Sequence, residues 1–333
     1  MPELPEVHTT ATMLNKLLPG LRIKTVWTSY NSPSHRGKDN IKDPKFFRRF
    51  ARKISGARFT KIYRRGKNVL LELDNGKTVL IHMKMTGHLL YGTYRRIPIT
   101  KFQIPNKSQI TNSPASRDLA KRDKRRKKEE WVTTEAGPLK DSKNQFIRFV
   151  ITLSNGKHLA LSDMRKFAKV TIIPTEKIEA SKHLGGIGPE PLEKKFTLPR
   201  FRERLMTKPR GKIKQVLMNP QVIAGIGNIY SDEMLYIADI HPLSVVENVP
   251  EKVVVQLFRA MKKILGKGID FGGDSTSDYR NPLGIHGKFH HHHKAYRNTG
   301  RPCDRKNCGG TIRKIKLGGR SAHFCDRHQK NYH

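Results

Sequence analysis

The chain has 333 residues, with 66 Lys and Arg against 28 Asp and Glu, which gives a formal net charge of +38. A basic excess of this size indicates a polyanionic partner: DNA, RNA or an acidic membrane face. No apolar run is long enough to span a membrane, and the first residues lack the basic and apolar segments of a secretory signal. We therefore expect neither a membrane-spanning nor a secreted protein, with about two domains for this length.

The first half of the chain combines one helix with strand patterns. Apolar residues at helical spacing predict a helix over residues 3–18, ending at Gly20. Residues 21–30 alternate as in a strand, and two further strand pairs flank the turn signals Asp74-Asn75-Gly76 and Asn155-Gly156. We expect an α+β protein whose N-terminal domain, residues 1–175, is a helix plus an antiparallel β-sandwich. The strand pairs are predicted over 68–73 with 78–83 and over 146–153 with 158–161.

A basic segment interrupts this strand pattern. Residues 117–130 contain eight basic and four acidic residues, and residues 113–142 carry no apolar periodicity. Such a segment cannot bury enough apolar surface to fold. We predict a solvated, largely disordered insertion over about 101–142, with loose contact to DNA as the open alternative.

The second half of the chain has helical patterns. After a linker over 176–194, we expect a helical domain over 195–294 and a small cysteine module over 295–333. Residues 272–294 form a Gly-, Asp- and His-rich loop, and we interpret its four histidines, residues 290–293, as ordinary loop residues rather than a metal site. Helices are predicted over 201–206, 213–218, 228–240 and 251–265.

The cysteine module has the spacing of a zinc ribbon. The pattern is Cys303-x4-Cys308-x16-Cys325-x2-His328, two ligand pairs joined by a predicted β-hairpin. Three thiolates and one imidazole suit tetrahedral Zn²⁺, so we predict one structural zinc ion and no organic cofactor. His323 is a rival for the fourth ligand position. An odd, clustered set of cysteines also argues for a reducing compartment.

The tip of this hairpin should lie near Gly318-Gly319. An arginine raised on a glycine turn, here Arg320, is well placed to bind a phosphate group with its planar fork of donors.

Six short segments carry a family resemblance. Each is a weak signal alone, but the six occur in a specific order: residues 1–7 (MPELPEV), 65–67 (RGK), 82–87 (HMKMTG), 163–167 (DMRKF), 224–233 (AGIGNIYSDE) and 317–325 (LGGRSAHFC). Together they resemble the formamidopyrimidine-DNA glycosylase family, which is related to endonuclease VIII. The resemblance covers nearly the whole chain except the basic insertion, and Leu4 favours the formamidopyrimidine branch.

The resemblance implies a bifunctional DNA glycosylase and abasic-site lyase of base excision repair, acting on oxidised purines such as 8-oxoguanine in damaged double-stranded DNA. It also implies a helix–two-turn–helix fold for the second domain. We expect a monomer in the cytoplasm, at the nucleoid. Two alternatives stay open: an endonuclease VIII-like preference for oxidised pyrimidines, and a non-catalytic basic zinc protein that binds damaged nucleic acid.

The resemblance also implies catalytic roles for five residues. Removal of Met1 would leave Pro2 with a secondary amine that attacks the sugar C1′ atom and forms an iminium, which then drives β- and δ-elimination. Glu3 would act as general acid, because a carboxyl next to the nucleophile can pass protons. Glu6 would support the active site, and Lys67 and Arg320 would hold phosphate groups.

DNA binding is implied for a further set of residues. The glycines before Asn228 would let the backbone at a helix start approach phosphate. Glu233 would fasten the N-terminal segment near Pro2. A side-chain wedge would fill the space left by a nucleotide that leaves the stack. The wedge residues are Met85, Arg165 and Phe167, and the phosphate contacts are His82, Lys212, Asn228 and Tyr296.

The sequence departs from the family pattern at several points. The first ligand pair has four intervening residues instead of two, and His328 stands where a cysteine is usual. Met164 and Ala168 replace a proline and a glycine beside the wedge residues. We therefore expect the metal affinity and the conformation of the wedge loop to differ from those typical of the family.

Overall fold

The first half of the chain forms two facing four-stranded sheets. The computed structural model describes residues 1–98, 129–276 and 278–333. The strand orders are β1-β8-β9-β5 and β10-β4-β3-β2, all antiparallel. The elements are α1 (Leu4–Leu17), β1 (Ile23–Thr28), α2 (Pro44–Ile54), β2 (Phe59–Arg65), β3 (Asn68–Leu73), β4 (Lys77–His82), β5 (His88–Gly92), β6 (Tyr94–Pro98), β7 (Glu129–Thr133), β8 (Ile147–Leu153), β9 (His158–Ser162) and β10 (Lys169–Pro174).

The sandwich core lies between these sheets. Val69 and Leu71 of β3 alternate toward it, and Phe149 and Ile151 of β8 meet them from the other sheet. The predicted helix plus antiparallel sandwich is therefore present. Helix α1 closes part of the core, and Leu14 is fully buried there.

Helix α2 was not predicted from the sequence. Its apolar residues Phe46, Phe50 and Ile54 recur every four residues and are all buried. The Asp43 side chain caps the helix by accepting the Lys45 amide at 2.9 Å, and Pro44 occupies the first turn. These local signals were present in a stretch where strand patterns dominate on both sides.

The prediction of a disordered insertion extending to residue 142 was wrong for its last part. Residues 129–133 form β7, which pairs with β6, and Leu139, within a short 3-10 turn, is buried. Residues 129–133 are ordered by hydrogen-bonded pairing with β6, which their polar sequence does not indicate by itself. The rest of that prediction, up to residue 128, lies outside the described residues.

The second half is helical and ends in a two-stranded hairpin. Helix α5 stops before Asp239, whose backbone has a φ of 61°, so it is shorter than predicted, whereas α6 runs five residues past the predicted end at 265. The elements are α3 (Leu198–Met206), α4 (Ile213–Met218), α5 (Asn228–Ile237), α6 (Glu251–Asp270), β11 (Ile312–Leu317) and β12 (Arg320–Cys325).

The two halves pack against each other. The linker residues Ile178 and Leu184 cover Leu70 and Leu80 on the outer face of one sheet. Leu4, at the start of α1, is buried in the core of the second half. Within the described ranges, no helix combines the length and apolarity needed to cross a membrane.

Candidate active site and metal centre

The start of α1 lies between the two halves of the protein. The Leu4 amide donates to the Gly225 carbonyl at 2.9 Å, and one turn later Val7 is buried in the sandwich core. Pro2 is buried, and Met1 borders a cavity of about 430 Å³. The fold therefore fixes the N-terminal residues at the boundary between the halves.

The Glu3 side chain caps a helix of the other half. Its carboxylate accepts the amide of Ile229 at 2.9 Å and that of Tyr230 at 3.4 Å, both in the first turn of α5. The side chain is 2% exposed. Free amides at a helix start attract negative charge, so α5 holds this carboxylate next to Pro2.

The glycines of the 224–228 segment make room for the start of α1, a role that the prediction of a close approach to phosphate did not include. A Cβ atom on Gly227 would lie 2.3 Å from the Glu3 Cδ atom, and one on Gly225 would lie 2.8 Å from the Leu4 Cβ atom. Gly225 also has a φ of 86°, in the left-handed region. Glycine is needed at positions 225 and 227 because a larger side chain would overlap Leu4 or Glu3.

Glu6 connects three segments through its carboxylate. It accepts the Glu3 amide at 2.7 Å, the Tyr230 hydroxyl at 2.6 Å and the Asp274 amide at 2.7 Å. Burial, followed by the charge of Glu3, raises the pKa of Glu6 to about 7. Near neutral pH this carboxyl therefore exists in both protonation states.

Three of the predicted phosphate-binding residues face one cavity. Lys67, His82 and Arg320 line the same cavity as Met1. Arg320 is exposed at the start of β12, after the two left-handed glycines Gly318 and Gly319 that form the hairpin turn. Burial lowers the pKa of Lys67, an effect that the Glu3 charge partly offsets.

His82 is a neutral hydrogen-bond donor in this cavity. Burial and the charges of Lys84, Lys67 and Lys169 lower its pKa to about 3. Its Nδ1 atom accepts the Lys84 amide at 3.0 Å, which leaves the ring proton on Nε2. The ring can therefore donate to an anion without carrying charge.

The predicted wedge residues lie on two adjacent loops. Arg165 stacks on Phe167 with its guanidinium carbon 4.6 Å from the ring centroid, and Phe167 is 47% exposed. Met85 lies on the β4–β5 loop, and the Thr86 hydroxyl next to it accepts the Arg165 amide at 3.1 Å. The structure thus brings together the two loops that carry the three residues.

Asp163 fixes these two loops from below, a role that the sequence analysis did not assign. Its carboxylate accepts the Thr86 hydroxyl at 2.7 Å, the Ala168 amide at 2.8 Å and the Tyr30 hydroxyl at 2.7 Å. It is fully buried. Its position as the first residue of the quoted segment 163–167 was the available sequence signal.

The remaining predicted DNA contacts are more dispersed. Asn228 opens α5 beside the Glu3 cap, and its buried Oδ1 atom has no hydrogen-bond partner among the described residues. Lys212 precedes α4 and does not line the cavity of Met1. Tyr296 packs 5.2 Å from the His323 ring, measured between centroids.

Glu233 does not fasten the N-terminal segment, so that prediction was wrong. Its carboxylate accepts the amides of Lys294, Ala295 and Tyr296 at 2.8–3.0 Å. Five residues along a helix rotate a side chain by about 140°, which turns Glu233 away from the face that Asn228 presents. It supports the approach to the cysteine module instead.

A buried charged group joins α4, α5 and the hairpin. Lys214 is 1% exposed and Asp232 is 0% exposed, and the two form an ion pair. The second Asp232 oxygen accepts the amide of His323 at 3.1 Å and lies 2.9 Å from its Nδ1 atom. This group fixes the hairpin that carries Arg320. The sequence gives no signal for it, and it is recognised from its burial in the structure.

The four predicted metal ligands converge. One ligand atom from each of Cys303, Cys308, Cys325 and His328 lies within 4.8 Å of the others. The sulfurs of Cys308 and Cys325 are 3.6 Å apart, and His328 Nδ1 is 3.5 Å from two of the sulfurs. Tetrahedral Zn²⁺ with Zn–S bonds of about 2.3 Å separates two sulfurs by about 3.8 Å, so the residues fit a structural zinc ion.

The structure also decides between the two candidate histidines. His328 Nε2 donates to the Tyr236 carbonyl at 3.2 Å, which leaves Nδ1 free for a metal. His323 is bound to Asp232 instead. Within the described ranges the cysteine cluster is the one group of three or more such ligands, and the histidines of residues 290–293 are not part of it.

Three family profiles match successive parts of the chain. The N-terminal domain of formamidopyrimidine-DNA glycosylase matches residues 1–170, and its H2TH domain matches residues 187–280. The zinc finger found in the same enzyme and in isoleucyl-tRNA synthetase matches residues 300–331. The three matches cover most of the described chain.

Curated relatives are similar along their full length. The chain is 30% identical over 330 residues to a formamidopyrimidine-DNA glycosylase of Pelotomaculum thermopropionicum, covering 99% of each chain. It is 32% identical over 325 residues to that of Herpetosiphon aurantiacus, covering 98% of each.

Solved structures share the fold. One is a complex of the Lactococcus lactis enzyme with DNA containing an abasic site, with a TM-score of 0.72 and 27% identity over 97% of each chain. Another is MutM bound to DNA containing carbocyclic 8-oxo-G, with a TM-score of 0.72 and 28% identity over 97% of this chain and 98% of that one.

Proposed function

The chain belongs to the formamidopyrimidine-DNA glycosylase family and is a DNA glycosylase of base excision repair, and from that premise we propose that it excises oxidised purines through an N-terminal proline. The nucleophile is the Pro2 nitrogen after Met1 has been removed. The same residue then serves the lyase steps that are typical of the family.

One observation carries this proposal. Met1 borders the cavity that Lys67, His82 and Arg320 also line. Removal of Met1 leaves the Pro2 nitrogen at the wall of a cavity with three phosphate-binding candidates. A free α-amino group has a pKa of about 8, so part of the amine is neutral near pH 7.

The chemistry follows from a secondary amine. The Pro2 nitrogen bonds to C1′ as the C1′–N bond to the base breaks, and the base leaves with the electron pair and takes up a proton. The amine then loses its proton, and the C1′–O4′ bond breaks as O4′ takes up a proton, which opens the sugar ring. The product is an iminium, and its positive charge makes the C2′ proton acidic. Loss of that proton expels the 3′ phosphate, and a second elimination expels the 5′ phosphate.

Glu3 and Glu6 take part in proton transfer. Glu3 is held beside Pro2 by the Ile229 and Tyr230 amides, where it can pass a proton to the sugar ring oxygen or the leaving base. Glu6 supports this arrangement by accepting the Glu3 amide. The pKa of Glu6 near 7 lets it take up or release a proton at physiological pH.

The DNA lies along the cavity and the wedge loops. Lys67, Arg320 and His82 bind phosphates beside the lesion, with Asn228, Lys212 and Tyr296 as further contacts. Met85, Arg165 and Phe167 fill the stack once the damaged nucleotide has left it. The exposed, stacked pair of Arg165 and Phe167 supports this assignment.

The purine preference rests on the relatives. The curated relatives are named formamidopyrimidine-DNA glycosylases, and solved neighbours hold DNA containing Fapy-dG or 8-oxo-G. We further propose the domain limits 1–175, 195–294 and 295–333, a monomer, and action on cellular DNA in the cytoplasm.

Borohydride trapping on a panel of duplexes tests the function. The duplexes carry 8-oxoguanine, 5-hydroxycytosine or an abasic site, and the proteins are the wild type and Pro2→Gly, with intact mass measured first to establish Met1 removal. We expect a trapped adduct with wild-type protein on 8-oxoguanine and the abasic site, and strong loss of the 8-oxoguanine adduct in the variant.

The other outcomes separate the alternatives. An adduct on 5-hydroxycytosine but not on 8-oxoguanine would keep the mechanism and replace the purine preference with a pyrimidine one. DNA binding without any adduct, from protein lacking Met1, would make the protein a non-catalytic binder.

A further inference from the structure

A basic trough leads away from the proposed reaction centre. The cavity of about 430 Å³ at Met1 adjoins a second cavity of about 320 Å³, which also contains His35 and Lys38. Because the two cavities have lining residues in common, they lie side by side, and together they are called the trough here. The shared residues are Asp39, Lys169, Lys182 and His183.

The lining of this trough has a large excess of positive charge. Among the described residues that line either cavity, Asp39 is the only carboxylate, and it is already paired with Lys182. Over the described part of the chain, neither Lys84 nor Lys169 forms an ion pair. Lys84 and Lys169 therefore lack protein counter-charges.

Lys84 has an unusual backbone for a lysine. Its φ is 57°, in the left-handed region that favours glycine. The turn is fixed by the bond from the Lys84 amide to His82 Nδ1. A glycine would adopt this conformation without strain, and non-glycine residues that adopt it cluster at functional sites. The strain at position 84 therefore points to a role for the lysine side chain, which a glycine would lack.

The cations affect one another electrostatically. Burial and the charge of Lys169 lower the pKa of Lys84, and Lys84, Lys67 and Lys169 all contribute to the low pKa of His82. Like charges held together without acids are stabilised when an anion binds among them. Lys169 is paired with His82 in the β10–β4 register, so the sheet itself holds this group together.

We propose that Lys84, Lys169 and Lys182 form a second phosphate subsite, which binds an internal DNA backbone phosphate other than the one at Lys67 and Arg320. The inference rests on the proposed function, because it extends the DNA path from the reaction centre along the trough. Lys84 and Lys169 supply the unpaired charges. Lys182 joins them when phosphate competes with Asp39, and the neutral His183 can donate a hydrogen bond.

The salt dependence of DNA binding tests the subsite. The probe is a duplex with an uncleavable tetrahydrofuran abasic analogue, bound by wild type, by Lys84→Gly/Lys169→Gln, and by the matched control Lys252→Gln/Lys263→Gln. The control removes the same charge from exposed positions on α6. Glycine at position 84 suits the left-handed backbone, so the first variant keeps its fold.

We expect the slope of log affinity against log salt to fall in magnitude by about 1 to 2 in Lys84→Gly/Lys169→Gln, since each lost phosphate contact removes about 0.9. The control should keep the wild-type slope. Equal slopes in wild type and the subsite variant, or equal changes in the subsite variant and the control, would overturn the proposal.

A phosphate scan then locates the contact. Single methylphosphonates replace the phosphates flanking the lesion one at a time. At one internal position neutralisation should weaken wild-type binding several-fold and leave the subsite variant unchanged. Equal losses for both proteins at every position would contradict the subsite. The same two proteins are also compared on cleaved duplexes, with and without terminal phosphates. If the two proteins differ in affinity only for cleaved duplexes that carry a terminal phosphate, the assignment to an internal phosphate is rejected.

This outcome is independent of the catalytic proposal. Borohydride trapping by wild-type protein reports on Pro2, whereas the slope and the scan report on binding alone. If Lys84 and Lys169 do not bind phosphate, wild-type protein still gives the trapped adduct. If Pro2 is not the nucleophile, wild-type protein gives no adduct at Pro2, while the salt slopes of wild type and the subsite variant can still differ.

Discussion

The Glu3 carboxylate accepts the Ile229 amide at 2.9 Å, so the residue after Pro2 caps a helix that belongs to the other half of the protein. The bond joins the proposed nucleophile segment to α5, whose first residue is Asn228, a proposed DNA contact. The proposed nucleophile segment and the proposed DNA contact are therefore linked through one buried side chain. A substitution that displaces Glu3 should also disturb the start of α5, whereas one that keeps the bond to Ile229 should not.

Glu3→Gln tests the proton role of this carboxylate. Glutamine keeps an oxygen for the Ile229 amide but cannot supply a proton, so we expect base excision to slow by about 10²- to 10⁴-fold. Affinity for an abasic-analogue duplex should stay within a few-fold of wild type. Single-turnover excision and a binding titration measure the two, and exposed Glu203→Gln serves as control. Wild-type excision by Glu3→Gln would remove the general-acid role.

Gly227→Ala tests the space that Glu3 occupies. The new Cβ atom would lie 2.3 Å from the Glu3 Cδ atom, so the carboxylate must move. A displacement of this kind near the reacting atoms should reduce the single-turnover rate by about 10²-fold.

The matched control for that substitution is Gly266→Ala. This glycine lies in α6 with nothing within 4 Å of a new Cβ atom, so full activity and a gain of about 0.5–1 kcal/mol in the free energy of unfolding are expected. Equal activity in the two variants would mean that the position of Glu3 does not matter.

The raised pKa of Glu6 predicts a pH-dependent stability. The folded pKa of about 7 exceeds the ordinary value of 4.5, so the folded state binds more protons between these values. The contribution is fully present below pH 4.5 and is lost as the pH rises through 7. The loss amounts to about 3 kcal/mol at most.

Urea unfolding at pH 5 and pH 8 measures this effect. The free energy of unfolding of wild type minus that of Glu6→Gln should fall between pH 5 and pH 8. A difference that is the same at both pH values would show that Glu6 is not the titrating group.

The histidine assignment predicts different zinc contents for two variants. His328→Ala removes a ligand atom and should lose most bound zinc, whereas His323→Ala breaks the contact with Asp232 and should keep about one equivalent. Elemental analysis after dialysis against a weak chelator gives the answer. Retention of zinc by His328→Ala with loss from His323→Ala would reverse the assignment.

Much of the architecture follows from local sequence signals. The glycine turn before Arg320, the ligand spacing and the turn residues that follow β3 and β8 each determine their own structure. Helix α2 had equally local signals in Asp43, Pro44 and its phenylalanines, and it was missed because strands surround it. Strand β7 depends on pairing with β6, which the charged sequence does not reveal.

The site was less predictable than the fold. Glu233 was assigned to the N-terminal segment, whereas its carboxylate binds the amides of residues 294–296. The packing of Gly225 and Gly227 against Leu4 and Glu3 was not predicted. The Lys214–Asp232 pair looks like two ordinary surface charges in the sequence, and only tertiary packing makes it buried. Roles that depend on which residues meet across the two halves cannot be inferred from spacing along the chain.

The most direct test of the central claim is to map the covalent adduct. Wild-type protein trapped with borohydride on an 8-oxoguanine duplex is digested, and the peptides are analysed by mass spectrometry. The account predicts that Met1 is absent and that the sugar remnant is attached to the N-terminal peptide at Pro2. An adduct on Lys67 or another lysine, with Pro2 unmodified, would contradict it.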